Sequence, residues 1–218
     1  MLALYAHPFA SFCWKVVIAL HERDIAFEYR QVDDQHPEHG AALKALWPVG
    51  QFPVLVDGDT SVIESSVIIE HLDLAHGTAP PMVPADPRGA LEARMLDGIL
   101  DDYVHAPMQR IVGDFIRPAE QRDPLTVEQA TVTLNRSYDW LEHRMSTRTW
   151  AATDRFGLAD CAAAPALFYA DWVVPIGAGR PHLAAYRARL LARPSVVRVV
   201  DAARPWRQYF PPGAPDRD

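Results

Sequence analysis

The segment that decides the fold is residues 50–66, with the sequence GQFPVLVDGDTSVIESS. Two apolar runs, residues 53–57 and 60–63, flank a Gly-Asp turn, and this pattern predicts a β-hairpin. Directly after it, Ser65 precedes apolar residues at helical spacing, and serine is a preferred N-cap of helices. The segment therefore predicts two paired strands that lead straight into a helix.

The sequence before the hairpin alternates between strand-like and helix-like patterns. Short apolar or alternating runs predict strands at residues 2–6 and 27–32. Helical spacing predicts helices at residues 11–23 and 37–46 and, after the hairpin, at residues 65–75. The order βαβαββα indicates an α/β domain over residues 1–78.

A linker is predicted at residues 79–88, where prolines exclude both a helix and a central strand. The following part, residues 89–218, shows helical periodicity and no strand pattern. Helices are predicted over residues 88–117, 124–144, 158–172 and 182–193. Kinks are expected at Pro107 and Pro165, and the tail after Arg204 is predicted to be irregular. The second domain is therefore predicted to be all-α.

Composition and charge argue against several classes of protein. The chain has 218 residues, 49% of them hydrophobic and 22% charged, as is ordinary for a globular protein. The net charge is −7, and residues 1–78 carry all of it, so a nucleic-acid partner is not expected. No apolar run approaches the ~20 residues that cross a bilayer, so no membrane is expected, and no signal-peptide pattern is visible. Two cysteines, Cys13 and Cys161, are too few for a disulfide framework, which favours a cytoplasmic location.

Two features of the hairpin segment suit the recognition of a small peptide. Pro53 stands at the first residue of a strand, where proline is tolerated. A cis bond before it would turn the backbone of Phe52 toward a ligand's backbone, although an ordinary trans proline is the commoner arrangement. Glu64 and the first-turn N–H groups behind Ser65 would suit an ammonium and an anion, as an α-amino acid group requires. The alternative is a capped helix beside a solvated carboxylate.

Two further features mark the starts of helices. Residues 7–15, HPFASFCWK, lie between the first strand and the first helix, where N–H groups and a hydroxyl can stabilise a thiolate. Residues 156–160, FGLAD, open an apolar helix, and Asp160 is expected to fold back on its first turn as in a capping box. The second feature is a folding signal rather than a chemical one.

In this order and spacing, the four features resemble those of the cytosolic glutathione S-transferase family, over residues 2 to about 204. The resemblance implies a thioredoxin-like domain joined to a helical domain, in a protein that is usually a homodimer and acts in detoxification. Glutathione would bind to the first domain as co-substrate. A small hydrophobic electrophile would bind between the two domains.

The resemblance also assigns roles to individual residues. Phe52 would hydrogen-bond the cysteinyl part of glutathione through its main chain, and Pro53 would be cis. The remaining assignments are Glu64 and Ser65 for the γ-glutamyl end, and Gln51, Lys44 and His39 for the glycine carboxylate.

The sequence departs from the family pattern at the position that faces the glutathione sulfur. Serine-type members have Ser there and cysteine-type members have Cys, whereas this chain has Ala10. Ser11, the next residue, is the catalytic candidate, because it can supply the missing hydroxyl. Cys13 is the alternative, since an exposed thiol there could form a mixed disulfide with glutathione. The third possibility is that no side chain activates the thiol.

The predicted electrophile pocket combines Phe9 of the first domain with residues of the second. The latter are Tyr103, Met108, Ile111, Phe115 and Trp172. At least two of them are expected to pack against neighbouring helices instead. The acidic pair Asp101-Asp102 could face the glutathione amine or water.

No metal cofactor is expected from the sequence. His36 and His39 lie three residues apart, but no third ligand lies near them in the sequence. Two solvated histidines are therefore the favoured interpretation.

The leading hypothesis is a glutathione transferase that adds the thiol to a small hydrophobic electrophile. The first alternative is a glutathione-dependent isomerase, dehalogenase or disulfide reductase on the same fold, the reductase using Cys13. The second is a non-catalytic binding protein, since Ala10 lacks the hydroxyl that faces the sulfur.

Overall fold

The computed structural model describes residues 2–77 and 79–218. Its first part contains the predicted elements in the predicted order, and their bounds differ from the predicted ones by no more than one residue. These elements are β1 (Leu2–Ala6), α1 (Ser11–Glu22), β2 (Glu28–Gln31), α2 (Pro37–Leu46), β3 (Val54–Asp57), β4 (Thr60–Ile63) and α3 (Ser65–Ala75).

The four strands form one mixed sheet in the order β2-β1-β3-β4. β1 is parallel to β2 and antiparallel to β3, which pairs with β4 through the hairpin. Successive side chains of a strand point to opposite faces. Leu4 and Leu55 accordingly join the core that contains α1 and α3, whereas Tyr5 and Val54 pack with Leu43 of α2. This α/β arrangement is the predicted thioredoxin-like fold.

The second part of the chain is helical, as predicted. Its helices are α4 (Pro87–Leu100), α5 (Ala106–Ile116), α6 (Pro124–Met145), α7 (Leu158–Val173), α8 (Pro181–Leu191) and α9 (Pro194–Ala203). Short 3₁₀ segments follow α5 at Ala119–Gln121 and α9 at Arg204–Tyr209. α4 begins inside the predicted linker 79–88, and the exact domain boundaries stay a prediction.

The sequence pattern does not predict α9. Its β-branched valines lower the propensity for helix. However, Val196, Val199 and Val200 are buried, and α9 packs against α1. Tertiary packing therefore decides this helix.

A π-helical turn, Asp101–His105, joins α4 to α5 near the kink expected at Pro107. Proline has no N–H to donate to the carbonyl four residues earlier, which belongs to Tyr103. That carbonyl instead accepts a hydrogen bond from Ser137 Oγ of α6 at 2.8 Å. The wider turn thus accommodates the proline, and turns of this kind occur frequently at functional sites.

The core extends across both parts of the molecule, with α7 at its centre. α7 is buried over residues 158–172, and both α1 and α4 pack against it. Asp160 folds back on the first turn of α7, as predicted, and accepts hydrogen bonds from the N–H groups of Gly157 at 3.0 Å and Ala151 at 2.9 Å. The packing of α1 against α7 joins the two parts of the chain. Within the described residues, none of the helices combines the length and the apolar character needed to span a membrane.

Candidate functional site

Two neighbouring cavities lie between the first part of the chain and the helical part. The larger, which we name the apolar cavity, has a volume of about 620 Å³. The smaller, which we name the polar cavity, has a volume of about 240 Å³. Phe12, Gln51 and Phe52 line both. A ligand can therefore lie in one cavity with its reactive end at the other.

The backbone before β3 forms one wall of the polar cavity. The bond between Phe52 and Pro53 is cis, as the resemblance implied. Since β3 begins at Val54, the N–H and C=O of Phe52 lie outside the hydrogen-bonded ladder of the sheet. Gln51, Phe52 and Pro53 all line the cavity. An extended peptide backbone can pair with groups in this position.

The start of α3 forms a second wall, lined by Glu64 and Ser65. Glu64, rather than Ser65, occupies the N-cap position, so the predicted cap is wrong by one residue. Glu64 has a φ of 69°, a left-handed conformation that costs a non-glycine residue energy and is found most often at functional sites. The first-turn N–H groups of α3 have no partner within the helix and suit an anion at the cavity wall.

Carboxylates border the polar cavity: those of Glu64, Asp101 and Asp102. Asp101 Oδ2 accepts a hydrogen bond from Lys15 Nζ at 2.7 Å. Burial raises the pKa of Asp101 to about 6, although Lys15 opposes the increase. Negative charge beside a helix N-terminus is the combination that a ligand with both an ammonium and a carboxylate group requires.

Lys15 connects α1, α3 and α4 behind this cavity. The side chain is only 1% exposed. Its Nζ lies 2.5 Å from Asp97 Oδ1 and 2.9 Å from Ser66 Oγ, and Ser66 donates to Asp97 Oδ2 at 2.6 Å. Because a buried ammonium requires such partners, the network holds the start of α3 against Asp101.

The further candidates for the glycine carboxylate, Lys44 and His39, are not among the lining residues of either cavity. His39 Nδ1 is hydrogen-bonded to the carbonyl of Gln31 at 2.7 Å, and its ring stacks on His36. Lys44 is exposed on α2 and lies next to Gly50, the neighbour of Gln51. The Nδ1 atom of His39 is therefore engaged elsewhere, and the roles of both His39 and Lys44 stay predictions.

Ser11 is the first residue of α1 and lines the apolar cavity. Its Oγ is hydrogen-bonded to Nε2 of His105, which belongs to the π-helical turn. His105 is 2% exposed. Burial, and then the charge of Lys15, lowers the pKa of His105 to about 4. The imidazole is therefore neutral near pH 7.

The other ring nitrogen of His105, Nδ1, indicates which group donates in this hydrogen bond. His105 Nδ1 is buried and has no hydrogen-bond partner among the residues that the structure describes. A buried N–H group without a partner is rarer than an unpaired acceptor, so the proton of the neutral ring is placed on Nε2. Nε2 then donates to Ser11 Oγ, and the Ser11 hydroxyl is free to donate to another acceptor.

The two neighbours that the sequence analysis weighs against Ser11 have no comparable capacity. Ala10 is the N-cap residue of α1 and lines the apolar cavity without a polar side-chain atom. Cys13 is 1% exposed, and burial raises the pKa of its thiol to about 12. A buried, protonated thiol is a poor nucleophile. The burial of Cys13 argues against its alternative catalytic role, which stays a prediction.

Only part of the predicted electrophile pocket lines the apolar cavity. Phe9 and Met108 do, whereas Tyr103, Ile111, Phe115 and Trp172 do not. Tyr103 is 54% exposed. The guanidinium carbon of Arg122 lies over the ring of Phe115, 4.9 Å from the centroid of that ring. Trp172 belongs to the hydrophobic core, and Ile111 packs against that core.

The sequence analysis missed other residues of this cavity and the role of His105. α5 lines the cavity with Met108, Val112 and Ile116, which follow one another at four-residue spacing. This face lies one residue further along than the predicted Ile111 and Phe115. Helical periodicity indicates that α5 has apolar faces, but it does not indicate which of these faces lines the cavity. The lining residues without a local signal are Tyr169, Tyr209 and Phe210, which come from α7 and the tail.

Comparison with known proteins covers both parts of the chain. Residues 4–81 match the family model of the glutathione S-transferase N-terminal domain, and residues 103–194 match that of the C-terminal domain. The uncharacterized GST-like protein YibF of Escherichia coli strain K12 is 30% identical over 206 residues, which are 91% of this chain and 96% of that protein. Glutathione S-transferase F6 of Arabidopsis thaliana is 27% identical over 207 residues, 91% of this chain and 99% of that one.

A similar solved structure agrees with this assignment. It is that of a glutathione S-transferase from Methylobacterium radiotolerans in complex with glutathione sulfonate. The TM-score is 0.79 and the sequence identity 28%, over 91% of this chain and 94% of the other. Fold, family models and relatives agree along nearly the whole length. The chain belongs to the glutathione S-transferase family.

Proposed function

We propose that this protein is a glutathione transferase that binds glutathione in the polar cavity and adds its thiol to a small hydrophobic electrophile in the apolar cavity. The observation that carries the proposal is the Ser11 hydroxyl. It lies at the wall of the apolar cavity, next to the residues that both cavities share. The Ser11 oxygen accepts a hydrogen bond from His105, so the hydroxyl proton is not used in that contact. The hydroxyl is thus available to donate to a sulfur between the two cavities.

Glutathione fits the polar cavity as an extended tripeptide. Its cysteinyl backbone pairs with the N–H and C=O of Phe52, which lie outside the sheet ladder. The γ-glutamyl carboxylate lies at the first turn of α3, while Glu64 and Asp101 attract the ammonium group. Gln51, with Lys44 beyond the cavity wall, holds the glycine carboxylate.

The reaction requires the thiol to lose its proton near neutral pH. A free thiol has a pKa of about 8.5. A hydrogen bond to a charged group contributes about 1.5–3 kcal/mol, which lowers that pKa by roughly one to two units. The N-terminus of α1 adds about 0.3–1 kcal/mol. Ser11 is therefore the larger of the two contributions to thiolate formation.

Isothermal titration calorimetry with glutathione tests the binding half of this proposal. The expected result is one site per chain, with affinity reduced in Glu64→Gln because the ammonium loses a charged partner. Glu70→Gln is a matched control, since Glu70 lies on the same helix but pairs with Arg94 at 2.7 Å. Absence of binding at millimolar glutathione would contradict the proposal.

Ala10 favours a second candidate function, a glutathione-binding protein without transferase activity. The position that usually carries the catalytic hydroxyl has none. The two functions differ in turnover against a panel of electrophiles. The second function would be favoured if the protein binds glutathione but forms no conjugate, and if the pKa of the bound thiol stays near that of free glutathione.

The family expectation of a homodimer has support in the surface of α3 and α4. Large apolar side chains are exposed there: Val67, Leu74, Leu91 and Met95. The pair Glu70–Arg94 joins the two helices beside them. We propose that the second copy of the chain binds to this face. We also propose that the protein is cytoplasmic. Light scattering of Leu74→Glu is expected to give a monomer, whereas an unchanged mass would contradict the placement.

A further inference from the structure

Three potential metal ligands converge at the far end of the first domain from the polar cavity. They are Asp57 at the end of β3, His71 within α3, and His76, the residue that ends α3. Each offers one ligand atom, and these atoms all lie within 4.8 Å of one another. His71 Nε2 and His76 Nε2 lie 3.0 Å and 2.8 Å from the same oxygen, Asp57 Oδ2.

These distances agree with coordination geometry as well as with hydrogen bonds. Zinc binds imidazole nitrogen and carboxylate oxygen at about 2.0–2.2 Å, so neighbouring ligand atoms lie roughly 2.9 Å apart at octahedral angles and roughly 3.3 Å apart at tetrahedral angles. The two N···O distances are already in the octahedral range. A tetrahedral ion requires the two N···O pairs to separate by about 0.3–0.5 Å. It also requires the two imidazole nitrogens, which lie within 4.8 Å of each other, to be about 3.3 Å apart. Rotation of the partly exposed side chains can supply both changes.

The three ligands are held on backbone elements that other contacts fix. Arg23 Nη2 donates to the carbonyl of His76 at 3.2 Å, and the Arg23 guanidinium pairs with Asp73 of α3. Asp73 also accepts hydrogen bonds from the N–H groups of Met82 and Val83, both at 2.9 Å. The end of α3 is therefore anchored to α1 and to the segment that leads into α4.

The exposure of the cluster suits an ion that enters from solvent. The side chains of Asp57 and His71 are each 23% exposed and that of His76 is 30% exposed. Three protein ligands leave at least one coordination position for water.

We propose that Asp57, His71 and His76 form a binding site for one Zn²⁺ ion. Two imidazoles and one carboxylate are ligands that suit zinc and other divalent transition metals, rather than magnesium or calcium. The ion would join the end of β3 to the end of α3. His71 and His76 lie about 9 Å and about 16 Å along α3 from Ser65. The zinc site is separate from the glutathione site.

The proposal is tested by titrating Zn²⁺ into metal-free protein without a histidine tag and without glutathione. We expect one ion per chain. We expect His71→Gln and His76→Gln each to weaken binding more than about tenfold, because even the loss of a residue behind a metal ligand costs 10–100-fold. Asp57→Asn keeps the size of the side chain but replaces the carboxylate with an uncharged amide that has one acceptor oxygen, and it is expected to weaken binding similarly.

The chain provides a matched control in its other pair of neighbouring histidines. His36→Gln together with His39→Gln removes two stacked imidazoles and is expected to leave Zn²⁺ affinity unchanged. Circular dichroism verifies that each variant is folded. Failure of glutathione binding in all variants and the wild type would affect the proposed function and not this site.

A measurement on the unaltered protein avoids dependence on any variant. Of the nine histidines, two are expected to show shifted imidazole resonances on addition of Zn²⁺, while addition of Mg²⁺ shifts none. Zinc binding that survives both His71→Gln and His76→Gln would overturn the proposal. Absence of zinc binding to the wild type at micromolar concentrations would do the same.

Discussion

Replacement of Ser11 by alanine tests the central step of the proposed reaction. The substitution removes the Ser11 hydroxyl from the wall of the apolar cavity, while alanine keeps the helix propensity of α1. His105 Nε2 loses its acceptor. The N-terminus of α1 is unchanged, so the effect on the thiol measures the hydroxyl alone.

The expected magnitude follows from the contacts of Ser11. With the hydroxyl, the hydrogen bond and the helix N-terminus together lower the pKa of bound glutathione from about 8.5 to roughly 6–7.5. Without it, the helix contribution of about 0.3–1 kcal/mol leaves the pKa near 8. At pH 6.5 the thiolate fraction, and with it the conjugation rate, should fall on the order of tenfold.

The assay is ultraviolet absorbance of the thiolate in the protein–glutathione complex as a function of pH. Conjugation rates at pH 6.5 and pH 9 accompany it, and the difference between Ser11→Ala and wild type should shrink at the higher pH. Ser146→Ala is the matched control, because Ser146 follows α6 and hydrogen-bonds only the local carbonyl of His143 at 2.6 Å. A thiolate titration that Ser11→Ala leaves unchanged would refute the assignment.

Three further predictions concern the same region. Glutathione affinity should fall as the pH decreases through about 6, because Asp101 gains a proton there and no longer attracts the ammonium group. Calorimetry should show that the affinity of Asp101→Asn, which lacks this carboxylate, depends less on pH. Ala10→Ser supplies an N-cap to α1, and urea denaturation should show about 0.5–2 kcal/mol more stability; equal or lower stability would contradict the cap. Lys15→Met leaves Asp97 and Asp101 buried without their cation, so the free energy of unfolding should fall by about 3–5 kcal/mol, and a loss below 1 kcal/mol would show that the network contributes little.

The α/β part of the fold could be predicted from local patterns because its strands and helices depend on near neighbours. The hairpin of β3 and β4 follows from two apolar runs that flank a Gly-containing turn. The start of α7 follows from Asp160, whose carboxylate bonds the N–H of Gly157 three residues earlier. In each case, the interacting groups lie within a few residues of each other in the chain.

The candidate site was predictable only where its residues are adjacent in sequence. The resemblance carried Phe52-Pro53 and Glu64-Ser65, and the structure brings both pairs to one cavity. His105, by contrast, lies 94 residues from Ser11. No local pattern relates two residues at that separation, because the π-helical turn that carries His105 meets the start of α1 only in the folded chain.

What the sequence alone determined is therefore the order of elements in the first part of the chain, the proline at the start of a strand and the resemblance to the family. Those properties follow from local conformational preference and from short motifs. Tertiary structure alone decided three others: the burial of Cys13, the pairing of Ser11 with His105, and the convergence of Asp57 with two histidines of the α3 segment. Each depends on distances between elements that are far apart in the chain, and those distances are set by how the whole core packs.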